Sequence, residues 1–481
     1  MSVFSEIFKG TLYNAISRYS SIIVNLVVTG VLARILSPSD FGVVALTTVF
    51  MSFFELLGNM GFGPAIIQNK TLNNKDIASI FNFVILIAFL FGAICFFLAP
   101  AFSVFYDEEK LVIIMRILSF QLFFSILNVV PYSLLLKEKR FKYVARVNVF
   151  CQFTFGFLAV ASAFLGMGIY SLLITPIGTA FVLFLLNTIK AKRIYGTYFL
   201  CVFSQVSIKK VLSFSLYQLL FNVVNYFSRN LDKLLIGNKF SMTDLSFYEK
   251  SYRLMQLPIS NISSVLSPTV QPVLSQYQDS RRELIKYELS ILRALSFIGF
   301  MITPFLFFCS RDIIIIVFGD NWGKAIPIFQ ILSLSVFIQI IDSASGSLLQ
   351  AANAPKTLFL SGIICALLNV LCIIIGVFFF RDLLMLSWLL NIAFLLNLLV
   401  DMYFIVMRIL KSSIKELIAI FYQPFILGFL ITLELYCFSY LCKENMFIHI
   451  TFSIVLTLIT SILYIHLNKI YDILKVFKKY I

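Results

Sequence analysis

Apolar stretches long enough to cross a bilayer recur from one end of this sequence to the other, separated by loops of a few residues. A spanning helix needs about 20 predominantly apolar residues, so 481 residues at about 34 per helix and loop hold about fourteen spans and no globular domain. Hydrophobic residues make up 60% of the chain and charged residues 13%, against about one half and one quarter in a soluble domain. No soluble fold hides that much apolar surface, and the fold class that follows is all-α and integral to the membrane.

Breaks at charged, Gly and Pro clusters place six spans at about 11–36, 39–67, 76–105, 111–136, 142–166 and 168–189. A basic link follows, and then eight more spans at about 211–236, 243–275, 284–309, 325–352, 357–380, 383–408, 416–440 and 447–467. The stretch from Thr243 to Gln276 carries Asp244, Glu249, Lys250, Arg253 and three prolines, and hydropathy alone rejects it. Charge parity admits it. With this span in place and the N-terminus inside, twelve of the Lys and Arg residues after it fall inside and four outside; without it the bias inverts. The clusters Lys137-Glu-Lys-Arg140, Lys190-Ala-Lys-Arg193 and Lys209-Lys210 fall on the same side, so both termini are expected in the cytoplasm.

The formal charge of +15 is therefore a topology signal spread over short loops, which speaks against a nucleic-acid partner. The tail Lys469-Ile-Tyr-Asp-Ile-Leu-Lys-Val-Phe-Lys-Lys479 gathers Ile470, Ile473, Leu474 and Phe477 on one helical face, as in a helix lying on the inner leaflet. The opening residues, Met1-Ser-Val-Phe-Ser-Glu-Ile-Phe-Lys9, lack the charged start and cleavage site of a removable signal peptide. Eight scattered cysteines form no CxxC pair and read as small buried hydrophobes, so neither a metal site nor a cofactor is expected.

Ser37-Pro-Ser-Asp-Phe-Gly42 is echoed by Ser241-Met-Thr-Asp-Leu-Ser246, each placed to cap the second helix of a six-helix unit with Ser or Thr plus Asp. Two such units suggest a two-lobed transporter. The expected organisation is a six-helix lobe over 1–190, a basic cytoplasmic linker over 191–210 and a second six-helix lobe over 211–410. Residues 411–481 then supply two extra helices and the basic tail.

The histidines, His449 and His466, both lie in the last span, and no loop presents paired carboxylates, a Ser-His-Asp set or a phosphate-cradling glycine loop. Ionisable residues inside the hydrocarbon stand out instead, because they are costly there and mark partners or wet cavities. Arg229 and Lys233 are four apart on the seventh span and share a face; Lys250 and Arg253 follow on the polar eighth span. Against Asp232, Glu249 and Asp244 these four cations leave a surplus of one, suited to an anion such as a diphosphate. Mutual neutralisation through Glu249–Arg253 and Asp232–Lys250 is the competing reading. Arg18 on the first span is a further anion candidate, whereas Arg34 near its outer end reads as snorkelling to the surface. Glu55 and Asp342 lie at comparable depths and are candidates for coupling to H+ or Na+; Asp401 and Glu434 read as structural.

Leu32-Ala-Arg-Ile-Leu-Ser-Pro-Ser-Asp-Phe-Gly42, Gly61-Phe-Gly-Pro-Ala-Ile-Ile-Gln68 and Asn230-Leu-Asp-Lys-Leu-Leu-Ile-Gly237 follow one another along the chain. Tyr252-Arg-Leu-Met-Gln-Leu-Pro258 and Phe318-Gly-Asp-Asn-Trp-Gly-Lys-Ala325 continue the series. In this order they resemble the bacterial polysaccharide flippases, the O-antigen or capsule (Wzx-type) translocases of the multidrug/oligosaccharidyl-lipid/polysaccharide exporter superfamily. The resemblance implies two six-helix lobes in a V around a central cavity, two added C-terminal helices, and alternating access by rocking. It also implies an undecaprenyl-diphosphate-linked oligosaccharide as substrate, the bacterial inner membrane as location, and a polysaccharide polymerase with other export components as partners. The implied cavity lining includes Arg18, Glu55, Arg229, Lys233, Lys250 and Arg253, with Lys233 where an Arg is common in the family. Two alternatives remain: a cation-coupled multidrug exporter, whose cavity would be acidic and aromatic, and a membrane-embedded glycosyltransferase or polymerase, which needs larger outer loops.

Overall fold

A computed structural model describes residues 3–69, 71–196, 203–204, 222–223, 225–277, 280–405, 414–441 and 445–468. The expected basic link near 190–210 lies largely outside them, and the tail 469–479 wholly so. By packing, the chain divides into two compact units, Met1–Ser246 and Phe247–Ile481.

The first unit opens with α1 (Val3–Ile35), α2 (Pro38–Asn59) and the short α3 (Phe62–Gln68). Met60 and Gly61 both take left-handed backbone and end α2 (φ 37° and 73°), so the expected second span is one crossing broken near its end. Then come α4 (Asn74–Tyr106), α5 (Lys110–Lys137), α6 (Phe141–Phe164) and α7 (Ser171–Tyr195). Residues 225–239 form α8. It packs within this unit: Tyr226 donates to the Val49 carbonyl and Asn238 Nδ2 to the Phe105 carbonyl (2.8 Å). A Cβ on Gly237 would come within 3.0 Å of Leu46.

Both echoed motifs cap as their spacing requires. Ser37 Oγ donates to Asp40 Oδ2 at 2.7 Å while the Asp40 N–H donates back to Ser37 Oγ at 3.3 Å. Ser241 and Asp244 repeat the exchange at 2.7 and 3.0 Å at the start of α9 (Met242–Ser275). The two caps touch, for a Cβ on Gly42 would stand 1.8 Å from the Met242 carbonyl oxygen.

Beyond the start of α9, the second unit holds α10 (Arg281–Phe308), α11 (Ser310–Phe318) and α12 (Ala325–Ser333). It continues with α13 (Val336–Asp342), α14 (Ser345–Ala351), α15 (Pro355–Ile374), α16 (Leu383–Met402), α17 (Ile414–Leu441) and α18 (Met446–Leu467). The crossing from α12 through α14 bends by 45° near Leu334 and Ser335. There Thr303 Oγ1 accepts from the Phe337 N–H (2.9 Å), meeting the need of a freed backbone group at membrane depth. Along α10 and α17, Phe297, Leu427, Ile431 and Leu435 form an apolar core.

The fold is helical throughout the described residues, and eleven of their helices are long and apolar enough to cross a membrane, or twelve with the bent crossing. Two of the fourteen expected spans fall outside that set for different reasons. The seventh rests partly on residues outside the described ones. The eighth, α9, is an unbroken 34-residue helix, about 51 Å at 1.5 Å per residue, but too polar to qualify by composition.

Candidate functional site

Ionisable and neutral polar groups gather at several places in the two units. In the first unit, Arg229 and Lys233 sit one turn apart on α8, with Arg229 exposed and Lys233 half-buried. Asp232 between them is buried at 3% exposure, and its carboxylate accepts the Lys233 N–H at 2.8 Å. In the second unit, Lys250 is buried and paired with its neighbour Glu249 at 2.9 Å, whereas Arg253, one turn further along α9, is exposed. Asp244 is spent on the cap. Of the four cations on these two helices, Lys250 is thus held in an internal pair, while Arg229 and Arg253 present guanidinium groups at the surface of their helices.

The two coupling candidates have unlike surroundings. Glu55, half-buried on α2, accepts a hydrogen bond from Ser125 of α5. Asp342 ends α13, accepts from Ser345 Oγ at 3.1 Å, and neighbours the carboxyl of Asp401 on α16 closely enough for the two to interact electrostatically. A carboxyl pair of this kind accommodates a proton or a small cation between its oxygens. Sequence reading had set Asp401 aside, since nothing local connects two residues 59 positions apart.

Neutral polar groups collect around Arg18. Asn14, Ser17, Arg18 and Ser21 recur at i, i+3, i+4 and i+7 on α1 and line one wall of a cavity of about 300 Å³. Asn148 and Gln152, one turn apart on α6, form another wall, and Tyr132 of α5 and Thr179 of α7 complete the polar lining. Of these, sequence reading singled out only Arg18; the signal for the rest was the polar stripe along α1 and the amide pair in an otherwise apolar α6.

A last polar group joins α11, α17 and α18. His449 Nδ1 lies 2.5 Å from Asp312 Oδ2, His449 Nε2 lies 3.2 Å from Ser439 Oγ, and the ring of Phe438 stacks on the imidazole at 5.5 Å. The order Ser-His-Asp is that of a hydrolase triad, but the Ser439 hydroxyl donates to the Leu435 carbonyl at 2.7 Å, so it is not poised to pass its proton to the ring. The group reads as a staple between the last helix pair and α11. Glu434 plays a similar part, accepting from Thr460 Oγ1 at 2.6 Å between α17 and α18.

A family profile described as "Polysaccharide biosynthesis protein" matches residues 31–327, more than half of the chain. The chain is 24% identical over 364 residues to the teichuronic acid biosynthesis protein TuaB of Bacillus subtilis (strain 168), covering 74% of both proteins. It is 22% identical over 384 residues to the lipopolysaccharide biosynthesis protein WzxC of Escherichia coli (strain K12), covering 78% of this chain and 76% of that protein. Among solved structures, the lipid II flippase MurJ in an inward closed conformation aligns with a TM-score of 0.74 at 18% identity, over 96% of this chain and 99% of MurJ. An inward-facing multidrug resistance MATE family transporter aligns with a TM-score of 0.63 at 16% identity, over 81% of this chain and 95% of its own. The likeness to these two solved structures is one of fold.

Proposed function

The chain belongs to the polysaccharide biosynthesis protein family, and we propose that it is a flippase, carrying an oligosaccharide linked to undecaprenyl diphosphate across the bacterial inner membrane. One observation carries this reading. Arg229 and Arg253 expose guanidinium groups on membrane helices, while Lys250 is neutralised internally by Glu249. A guanidinium facing hydrocarbon is expensive, so one exposed on such a helix is drawn to water, to a polar neighbour or to an anion. Every substrate of such a pathway shares the diphosphate, and forked donors in a poorly polarisable cavity bind it without restricting the sugar. Arg18, Lys233 and Lys250 belong to the same basic set, Lys250 by setting the local charge balance.

Flipping breaks no bond, so the protein has only to alternate its access and shield the polar head on the way. We assign coupling to H+ or Na+ at Glu55 or Asp342, the latter together with Asp401. Both termini face the cytoplasm, the lobes rock as 1–190 and 211–410, and a polysaccharide polymerase and other export components take up the product. The multidrug alternative calls for an acidic cavity, and the polar cavity of the first unit is built around Arg18 instead.

Arg229→Ala or Arg253→Ala should leave an inserted, folded protein that no longer supports surface polysaccharide, with lipid-linked repeat units accumulating at the inner leaflet. Normal export by both variants at native expression would refute the assignment. Cysteine labelling tests orientation: a Cys at Ser280 should react only from the cytoplasm and one at Asp320 only from outside, both side chains being exposed. Unchanged dependence on the proton and Na+ gradients in Glu55→Gln and Asp342→Asn would remove both carboxylates from coupling.

A further inference from the structure

The cavity around Arg18 has a composition that a diphosphate alone does not call for. A site for a bare anion concentrates cations or backbone N–H groups. Here one guanidinium is set among amides and hydroxyls: Asn14, Ser17 and Ser21 on the same face of α1, with Asn148 and Gln152 across the cavity on α6. Amides offer a donor and an acceptor from one group, and hydroxyls do the same, which is the pairing that vicinal sugar hydroxyls require. Tyr132 adds an aromatic ring with a polar tip. At about 300 Å³ the cavity is at the lower end of small-ligand sites, the right scale for a sugar ring and too small for a polyprenyl chain.

The polar lining is also expensive. Three amides and two serines on lipid-embedded helices are usually paired across helix interfaces or directed at a wet or liganded space. Asn128 and Asn187 in the same unit show the paired solution, Asn187 Nδ2 donating to Asn128 Oδ1 at 2.9 Å. Asn148 and Gln152 line the cavity instead.

We infer that this cavity is a saccharide pocket, in which the amides and hydroxyls of α1 and α6 hold the hydroxyls of one sugar and Arg18 reads a single negative charge borne on it. The inference rests on the flippase reading and deepens it: the charged sugar is either the glycosyl phosphate next to the carrier or a uronate within the repeat, and both present a hexopyranose with one anionic group. Arg18 then reads the charge at the sugar, which in the first case is the sugar-proximal phosphate of the diphosphate, while Arg229 and Arg253 serve the remainder of the diphosphate.

The test uses the full chain in lipid nanodiscs and saturation-transfer NMR, with glucose 1-phosphate, glucuronic acid, glucose and inorganic phosphate as probes. At least one of the two anionic sugars should bind about tenfold more tightly than both glucose and inorganic phosphate, and which one does identifies the source of the charge. Gln152→Leu should weaken that binding about tenfold, as the loss of one hydrogen bond to a bound ligand does. Arg18→Gln should abolish the preference for the anionic sugar and leave the weak binding of glucose. Asn148→Ser, a smaller change, repeats the Gln152 test should that variant fail to insert. Inorganic phosphate binding as tightly as either anionic sugar, or equal binding by wild type and the amide variants, would overturn the inference. In cells, deletion of the gene without accumulation of lipid-linked saccharide defeats the flippase reading itself. An Asn148→Leu/Gln152→Leu variant that restores export at the wild-type rate defeats only the pocket.

Discussion

Helices α2 and α9 begin alike and then diverge. Each starts from a serine that exchanges hydrogen bonds with an aspartate three residues on, at 2.7 Å in both. After that α2 runs as an apolar crossing with one carboxylate, Glu55, satisfied by Ser125, whereas α9 carries a buried Glu249–Lys250 pair and an exposed Arg253. Gln256 of α9 also donates to Gln339 of α13 at 3.0 Å. The shared start is what folding asks of a helix at this place in each repeat; the polar body of α9 is what one repeat has taken on beyond folding. A polar helix persists in a membrane only where partners or water meet its cost, so the asymmetry points to function in α9 more than in α2.

The sharpest way to break this comparison is to unpair the buried ions of α9. Lys250→Met takes from Glu249 the ammonium it is paired with and should cost about 3–5 kcal/mol, read as loss of folded protein after detergent extraction. The double variant Glu249→Gln/Lys250→Met should recover most of it. On α2, Glu55→Gln keeps a group that accepts from Ser125 and should cost no more than about 1.5 kcal/mol. Equal costs for Lys250→Met and Glu55→Gln would mean that the two helices tolerate charge alike. Next in size is the place where the caps meet: Gly42→Ala puts a methyl 1.8 Å from a backbone oxygen and forces the helices apart. A loss of about 1–3 kcal/mol in thermal unfolding is expected, as for overpacked interiors. Smallest are Ser37→Ala and Ser241→Ala, each expected to cost about 1 kcal/mol. A twofold difference between them in the same assay would show that the likeness of the two starts is one of sequence and not of energy.

What could be read from sequence was whatever is local or periodic. Ser37 and Asp40 cap because their spacing is that of a helix turn, and the same reasoning placed Ser241 and Asp244. The position of α9 came from counting charges on either side of it, since its own hydropathy argued against it, and Met242–Ser275 is one continuous helix. The pairs formed between helices were not legible. Asp342 with Asp401, and Asp312 with His449, join residues whose sequence surroundings show ordinary apolar spans. The cavity around Arg18 was half legible: the charge drew attention to Arg18, while Asn148 and Gln152 carry no charge and pass as tolerated polar residues until a cavity is seen between them and α1. The break after Asn59 was missed because hydropathy runs on through it, although Gly61 marks the turn.

The staple between Asp312 and His449 spans 137 residues, and this has a consequence for how the chain is made. A nascent chain emerging from the ribosome inserts α11 long before α18 exists. Until then the Asp312 carboxylate has no imidazole to meet it, and Ser439 and Phe438 on α17 have nothing to hold. The second unit is thus left unlatched until α18 has been made, and that helix acts as its latch. A chain ending at residue 445 keeps every helix through α17 yet leaves Asp312 without this ring, so the closing contact of the second unit is the one such a truncation removes.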